Sequence, residues 1–158
     1  MMSSILALKG FTCIQSDLKI PKSSMEDSEK MMEDYEAELL STIRLAAIPF
    51  PPVIVARQAA CLIAQTYISS NPASGLVLIS PPISNAALKG TQLPTDLDEF
   101  NYEPRFPIVV IGTPEEITRL REGNRICQSE NVEVISVKDL NEQQTLMKID
   151  QWLDKLGI

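Results

Sequence analysis

Residues 53 to 67 read VIVARQAACLIAQTY. An apolar, β-branched run passes through a few small residues into a helix-forming stretch, the outline of a strand, a sharp turn and a helix that presents a nucleophile. A serine would stand at that turn. This chain has Gln58 there, whose amide is not nucleophilic and which no base could activate. Cys61 comes next, at the start of the helical stretch, where a helix dipole can lower a thiol pKa, but its apolar neighbours make it a packing cysteine instead. Gln58 itself is either an amide that touches a ligand at the C-terminal edge of a sheet or a solvated loop residue.

The chain contains no histidine. Ser-His-Asp and Cys-His catalysis and most zinc sites need an imidazole as base or ligand, so these classes are excluded within it. Carboxylate, lysine or metal-carboxylate chemistry would remain. No paired Asp/Glu motif of known spacing stands out, and Glu26-Asp27, Glu33-Asp34 and Asp96-Asp98 read as solvated faces, so neither a metal site nor a cofactor is expected. With 21 acidic against 14 basic residues the net charge is −7, which leaves no field to hold phosphate backbones, and nucleic acid is not an expected partner.

The pattern of the chain sets the elements that must position the Gln58 turn. With 158 residues and 44% apolar content the chain is sized for one domain, 1–158, with one core. Phe11 to Gln15 (FTCIQ) is expected to be a short strand. Ser24 is a candidate N-cap for a helix running to about Ala47, with Met32, Tyr35, Leu39, Ile43 and Ala46 at helical spacing. Pro49 to Pro52 end it. Val53 to Val55, Leu76 to Ser80 and Pro107 to Ile111 are apolar throughout, the mark of parallel strands buried on both faces. A helix over Ala59 to Ser70 stops at Asn71-Pro72. Residues 83 to 105 have no clean period and read as a long surface excursion. A further helix is expected from Glu115 or Glu116 to about Ser129. Val132 to Val137 alternates, as a strand near a sheet edge does. Leu146, Ile149, Trp152, Leu153 and Leu156 give a C-terminal amphipathic helix ended by Gly157. The order predicts an α/β fold, a three-layer α/β/α sandwich around a mostly parallel sheet of about five strands.

Four segments taken in this order resemble the α/β-hydrolase superfamily. GFTCIQSDL is similar to the strand ahead of the nucleophile unit, and FPPVIVARQAACLIAQTY to the nucleophile elbow, usually G-x-S-x-G. FPIVVIGTPEE resembles the strand that bears the catalytic acid, and VEVISVKDL the strand whose following loop holds the histidine. The resemblance places Ala56 and Ala60 at the two glycines, Gln58 at the nucleophile and Glu115 at the acid. Alanine at both glycine positions implies a relaxed turn. After Val137 the sequence offers Asp139, Asn141 and Glu142 instead of a histidine. The strands that the family places first, one of which is followed by a loop giving part of the oxyanion hole, have no counterpart before Gly10. Nucleophile, base and oxyanion donor are all missing, so the resemblance implies a degenerate, catalytically dead member.

The expected role is therefore that of an acidic, non-catalytic protein-interaction or scaffolding module. A second possibility is a small-molecule binder that uses the vestigial pocket, with Arg57, Gln58, Ala59, Glu115 and Asn141 as its candidate lining and residues 83 to 105 as a lid. A hydrolase with non-standard catalytic residues is the third. Ile5 and Leu8 are the candidate interface, since the layer that would cover them is lost. A protein partner or a homodimer is expected. Three separate cysteines, Cys13, Cys61 and Cys127, in apolar runs suggest a reduced intracellular, cytoplasmic compartment. No stretch reaches the ~18 apolar residues of a bilayer span, and the chain is expected to be soluble.

Overall fold

The computed structural model describes residues 27–47, 50–91 and 93–157. The expected strand at Phe11 to Gln15, the cap at Ser24, Cys13 and the candidate interface at Ile5 and Leu8 lie outside them. Four strands, β1 (Val53–Arg57), β2 (Gly75–Ile79), β3 (Ile108–Gly112) and β4 (Val132–Ser136), form one sheet in the order β1-β2-β3-β4. Every pairing is parallel. Four helices accompany it: α1 (Ser28–Leu45), α2 (Ala60–Ser70), α3 (Pro114–Gly123) and α4 (Glu142–Leu156).

Alternation along the strands divides the core in two. One set of side chains, including Ala56, Leu76, Leu78, Ile108, Val110 and Val132, faces α2 and α3, with Leu39, Leu40 and Ile43 of α1 packed against that layer. The opposite set, Val77, Ile79, Val109 and Ile111, faces Ile149, Trp152 and Leu153 of α4. The central strands β2 and β3 are buried at all five positions, as their unbroken apolar runs demand. Parallel strands joined by right-handed crossovers account for α2 and α3 lying on the same face.

β1 departs from the expectation of burial on both faces. Val55 pairs in register with Val77 and so points to the α4 side, yet it is 40% exposed. The reason is coverage: the α4 cluster takes in Val53 at the start of β1 but not Val55, and among the described residues β1 is the terminal strand of the sheet. β4 ends the other side, in keeping with its alternating sequence.

The helix boundaries show which local signals hold. Asp27 caps α1, its side chain accepting the Glu29 N–H at 3.0 Å. The helix ends ahead of the prolines, at Leu45, because Ala47 takes a left-handed φ of 53°. Asn71 terminates α2 as expected, and Gly157, at φ 78°, terminates α4. The helix expected to reach Ser129 is instead broken. α3 stops at Gly123, where an added Cβ would stand 2.8 Å from Ile83, and a separate 3₁₀ turn covers Ile126–Gln128. Asn124 makes the break, its Oδ1 accepting the Ile126 and Cys127 N–H groups at 3.1 and 3.3 Å.

Candidate functional site

A parallel sheet whose strands all run the same way collects its loops at one edge, and the Gln58 turn lies on the C-terminal one. β1 ends at Arg57, Gln58 intervenes, Ala59 is the N-cap and α2 begins at Ala60. The Gln58 N–H donates to Ile79 O at 2.8 Å, so the sheet ladder runs one residue beyond the strand. The chain must then turn into a helix at once. Gln58 does so with φ 54°, a left-handed conformation that costs a side-chain-bearing residue roughly 1–2 kcal/mol. The expectation of a relaxed turn between Ala56 and Ala60 is thereby corrected: the ladder and the immediate helix impose the strain whatever the flanking residues. No side chain caps α2.

The same geometry recurs one strand along. Ser80 donates its N–H to Ile111 O at 2.8 Å and adopts φ 49°. Its hydroxyl donates to Glu116 Oε1 at 3.2 Å. That oxygen also accepts the Thr113 N–H at 3.0 Å and the Thr113 hydroxyl at 3.1 Å, while Thr113 Oγ1 accepts the Glu116 N–H in a capping box. The sequence signal for this cap is the run Thr113-Pro114-Glu115-Glu116, in which the hydrolase resemblance sets Glu115 at the acid position instead. Glu115 is exposed on the first turn of α3, whereas Glu116 is partly buried against the strand ends. Ser80 beside a carboxylate has two elements of acyl-transfer chemistry. It lacks a third, because Pro81 and Pro82 come directly after it and carry no N–H for an oxyanion. The pair ties the end of β2 to the start of α3.

The five candidate pocket residues do not converge. Arg57 and Gln58 are exposed beyond β1, Glu115 is exposed on α3, and Asn141 is the exposed N-cap of α4. Asn141 is occupied locally, accepting the Gln144 N–H at 2.8 Å and donating to Asp139 at 3.3 Å. Gln58 and the β4 end are separated by three strand spacings, roughly 14 Å. A groove of about 170 Å³ lies elsewhere, between Leu62 and Gln65 of α2, Phe100 of the excursion and Asn124-Arg125 after α3. None of the five lines it. The segment from 83 to 105 leans on α1 and α2 and leaves Gln58 exposed.

Cys61 and Cys127 are sealed from water by position. Cys61 is fully buried, and burial pushes its thiol up to about 12 despite its place in the first turn of α2. Burial likewise raises Cys127 to about 11. Both are free. The helix-dipole effect on Cys61 is overridden because the thiolate would be sealed from water. Behind it, Gln65 donates to Cys61 O at 3.2 Å and accepts the Tyr102 hydroxyl at 2.7 Å, and burial raises the Tyr102 pKa. Among the described residues no group of His, Cys, Asp or Glu is placed to hold a metal ion, and no helix is long and apolar enough to cross a membrane.

No family model, no curated protein and no solved structure matches this chain.

The strained turn and the sealed thiols each lead to a measurable outcome. Gln58→Gly removes the left-handed penalty, and a stability gain of about 1 kcal/mol in urea unfolding is expected; a loss would show that the side chain holds the turn. Peptide-resolved alkylation of the native protein at pH 8 should leave Cys61 and Cys127 unmodified until the chain unfolds. A folded-state thiol pKa above the unfolded value of 9.0 also means that stability is full below pH 9 and declines as pH rises toward 12, with Cys61→Ala flattening the decline.

Proposed function

We propose that this chain is a non-catalytic, α/β-hydrolase-like module that acts by protein interaction. The observation that carries the proposal is Gln58. It occupies a left-handed strand-to-helix turn at the C-terminal edge of a parallel sheet, where a nucleophile would stand, in a chain without a histidine. The strand order β1-β2-β3-β4, with helices after β1 and β3 on one face and α4 on the other, is compatible with the relationship that the sequence segments suggest.

The protein-interaction role is supported by where the large apolar side chains stand in water. Leu45, the last residue of α1, is 85% exposed, Phe50 in the connection to β1 is 67% exposed, and Val55 lies on β1 itself. Isolated exposed apolar residues are ordinary; here three fall between positions 45 and 55. The small-molecule alternative has less support, since the groove falls below the ~300 Å³ usual for a ligand pocket and stands apart from Gln58.

Purified protein is expected neither to turn over short acyl esters nor to label with a serine-directed fluorophosphonate. Gln58→Ser restores a hydroxyl in a chain with no histidine to act as its base, and its esterase activity should stay at the wild-type background. Turnover above background, or labelling at one serine, overturns the non-catalytic assignment. The interaction arm is read separately. In sedimentation velocity, Leu45→Lys with Phe50→Lys should lower self-association, or capture of a partner from the native host, with circular dichroism unchanged. A wild-type protein that is strictly monomeric and binds no host protein defeats the interaction role.

A further inference from the structure

The connection from β2 to β3 is irregular apart from a single 3₁₀ turn at Ala86–Leu88 and one bridge between Lys89 and Leu93. Its two ends are pinned at neighbouring residues. Asn124 donates to Pro82 O and Ile83 O at 3.3 and 3.1 Å, and Arg125 donates to Tyr102 O at 2.8 Å and pairs with Glu103 at 3.2 Å. The chain between them, 84–101, is thus a loop closed at its feet, and β2 and β3 pair directly without its help.

Between the feet, the loop is tied to the body through a latch and an apolar contact made by Leu88, Leu93, Leu97 and Phe100. Ser28, at the first turn of α1, donates its N–H to Thr95 Oγ1 at 2.9 Å and its hydroxyl to Thr95 O at 2.7 Å, while the Thr95 N–H donates to Ser28 Oγ at 2.9 Å. The latch leaves Ser28 with no solvent exposure. Leu93, 2% exposed, drops into a cluster with Met31, Met32, Tyr35 and Leu62 that is separate from both sheet-face cores. Leu88, Leu97 and Phe100 of the loop also pack against that cluster. Other ties are internal: Glu99 accepts the Asn85 and Ala86 N–H groups at 3.0 Å each, and Asn85 donates to Asp98 O at 2.8 Å. These keep the loop folded on itself when it leaves the body. The exposed Lys89–Asp96 pair contributes little.

We propose that residues 84–101 form a strap that opens as one unit about its feet at Asn124 and Arg125, with the Ser28–Thr95 pair as its latch, and that opening uncovers the methionine-containing face shared by α1 and α2. The device is independent of the interaction assignment above, because it concerns a different surface and does not involve Gln58. Leu93 leaves the satellite cluster on opening, whereas the ladders between β2, β3 and β4 stay intact.

Native-state hydrogen exchange of the full chain tests this. The amides of Ser28 and Thr95, which bond across the latch, should exchange with one common opening, at least about tenfold faster than those of Val77 and Val109 in the central strands. Thr95→Val removes one bond of the latch and should speed strap exchange about fivefold with the central strands unchanged. Hydrogen peroxide gives a second readout: oxidation of Met31 and Met32 should rise with strap exchange, while Met147, already 49% exposed, keeps its rate. Strap amides that exchange only with the central strands in the wild type overturn the proposal, and this arm needs no variant to fold. Equal acceleration of strap and sheet in Thr95→Val, or methionine oxidation indifferent to the latch, overturns it as well.

Discussion

The parallel pairing of β2 with β3 is the constraint on which the rest of the architecture depends. Leu76 to Ile79 and Ile108 to Ile111 are at most 2% exposed, which requires a cover on both faces. One cover comes from the crossover helices α2 and α3; the other comes from α4, brought back after the last strand. Because the strands run in one direction, all their exits lie on one edge. The order along the sheet then decides which exits are neighbours: Gln58 beside Ser80, Ser80 beside Thr113.

Much of this is legible in the residues. Unbroken apolar runs announce β2 and β3, alternation announces β4 as a terminal strand, and Asn71-Pro72 and Gly157 mark helix ends for stated chemical reasons. The features that escape the sequence depend on tertiary coverage or on competition between caps. Val53 to Val55 has the composition of a buried strand, but burial of Val55 depends on how far α4 reaches over β1, and no local pattern encodes that reach. The stretch from Glu115 to Ser129 has helical composition throughout, and only the packing of Gly123 on Ile83 and the two N–H groups taken by Asn124 explain the break.

The site shows the same division. The absence of histidine and the amide at position 58 are chemical facts of the sequence and need no coordinates. The strain at Gln58 is hidden by the alanines that flank it, because the turn is set by the ladder bond from Gln58 to Ile79 and by the helix that starts two residues later. Glu115 and Glu116 are indistinguishable by composition; the capping box with Thr113 decides that Glu116 turns toward Ser80. Cys61, by contrast, is buried as its apolar neighbours announce, despite its place at a helix N-terminus.

Ser80 also sets how far the strain at Gln58 carries a functional argument. Both residues sit one position past a parallel strand, both give their N–H to the neighbouring strand, and both pay for that bond with a left-handed backbone. Left-handed geometry thus recurs at two of the four strand exits, with Thr113 and Val137 free of it, and by itself says nothing of chemistry. The two exits lead into different structures. Ser80 opens onto two prolines and a strap pinned by its feet; Gln58 opens onto a helix with no side-chain cap, set on the same edge. Only the second leads from the strained residue directly into a helix, and such a pairing is useful to a nucleophile because the backbone amides can receive a developing negative charge. Gln58 in that place leaves an exposed turn whose backbone is fixed by its ladder bond to Ile79 and by the helix that follows.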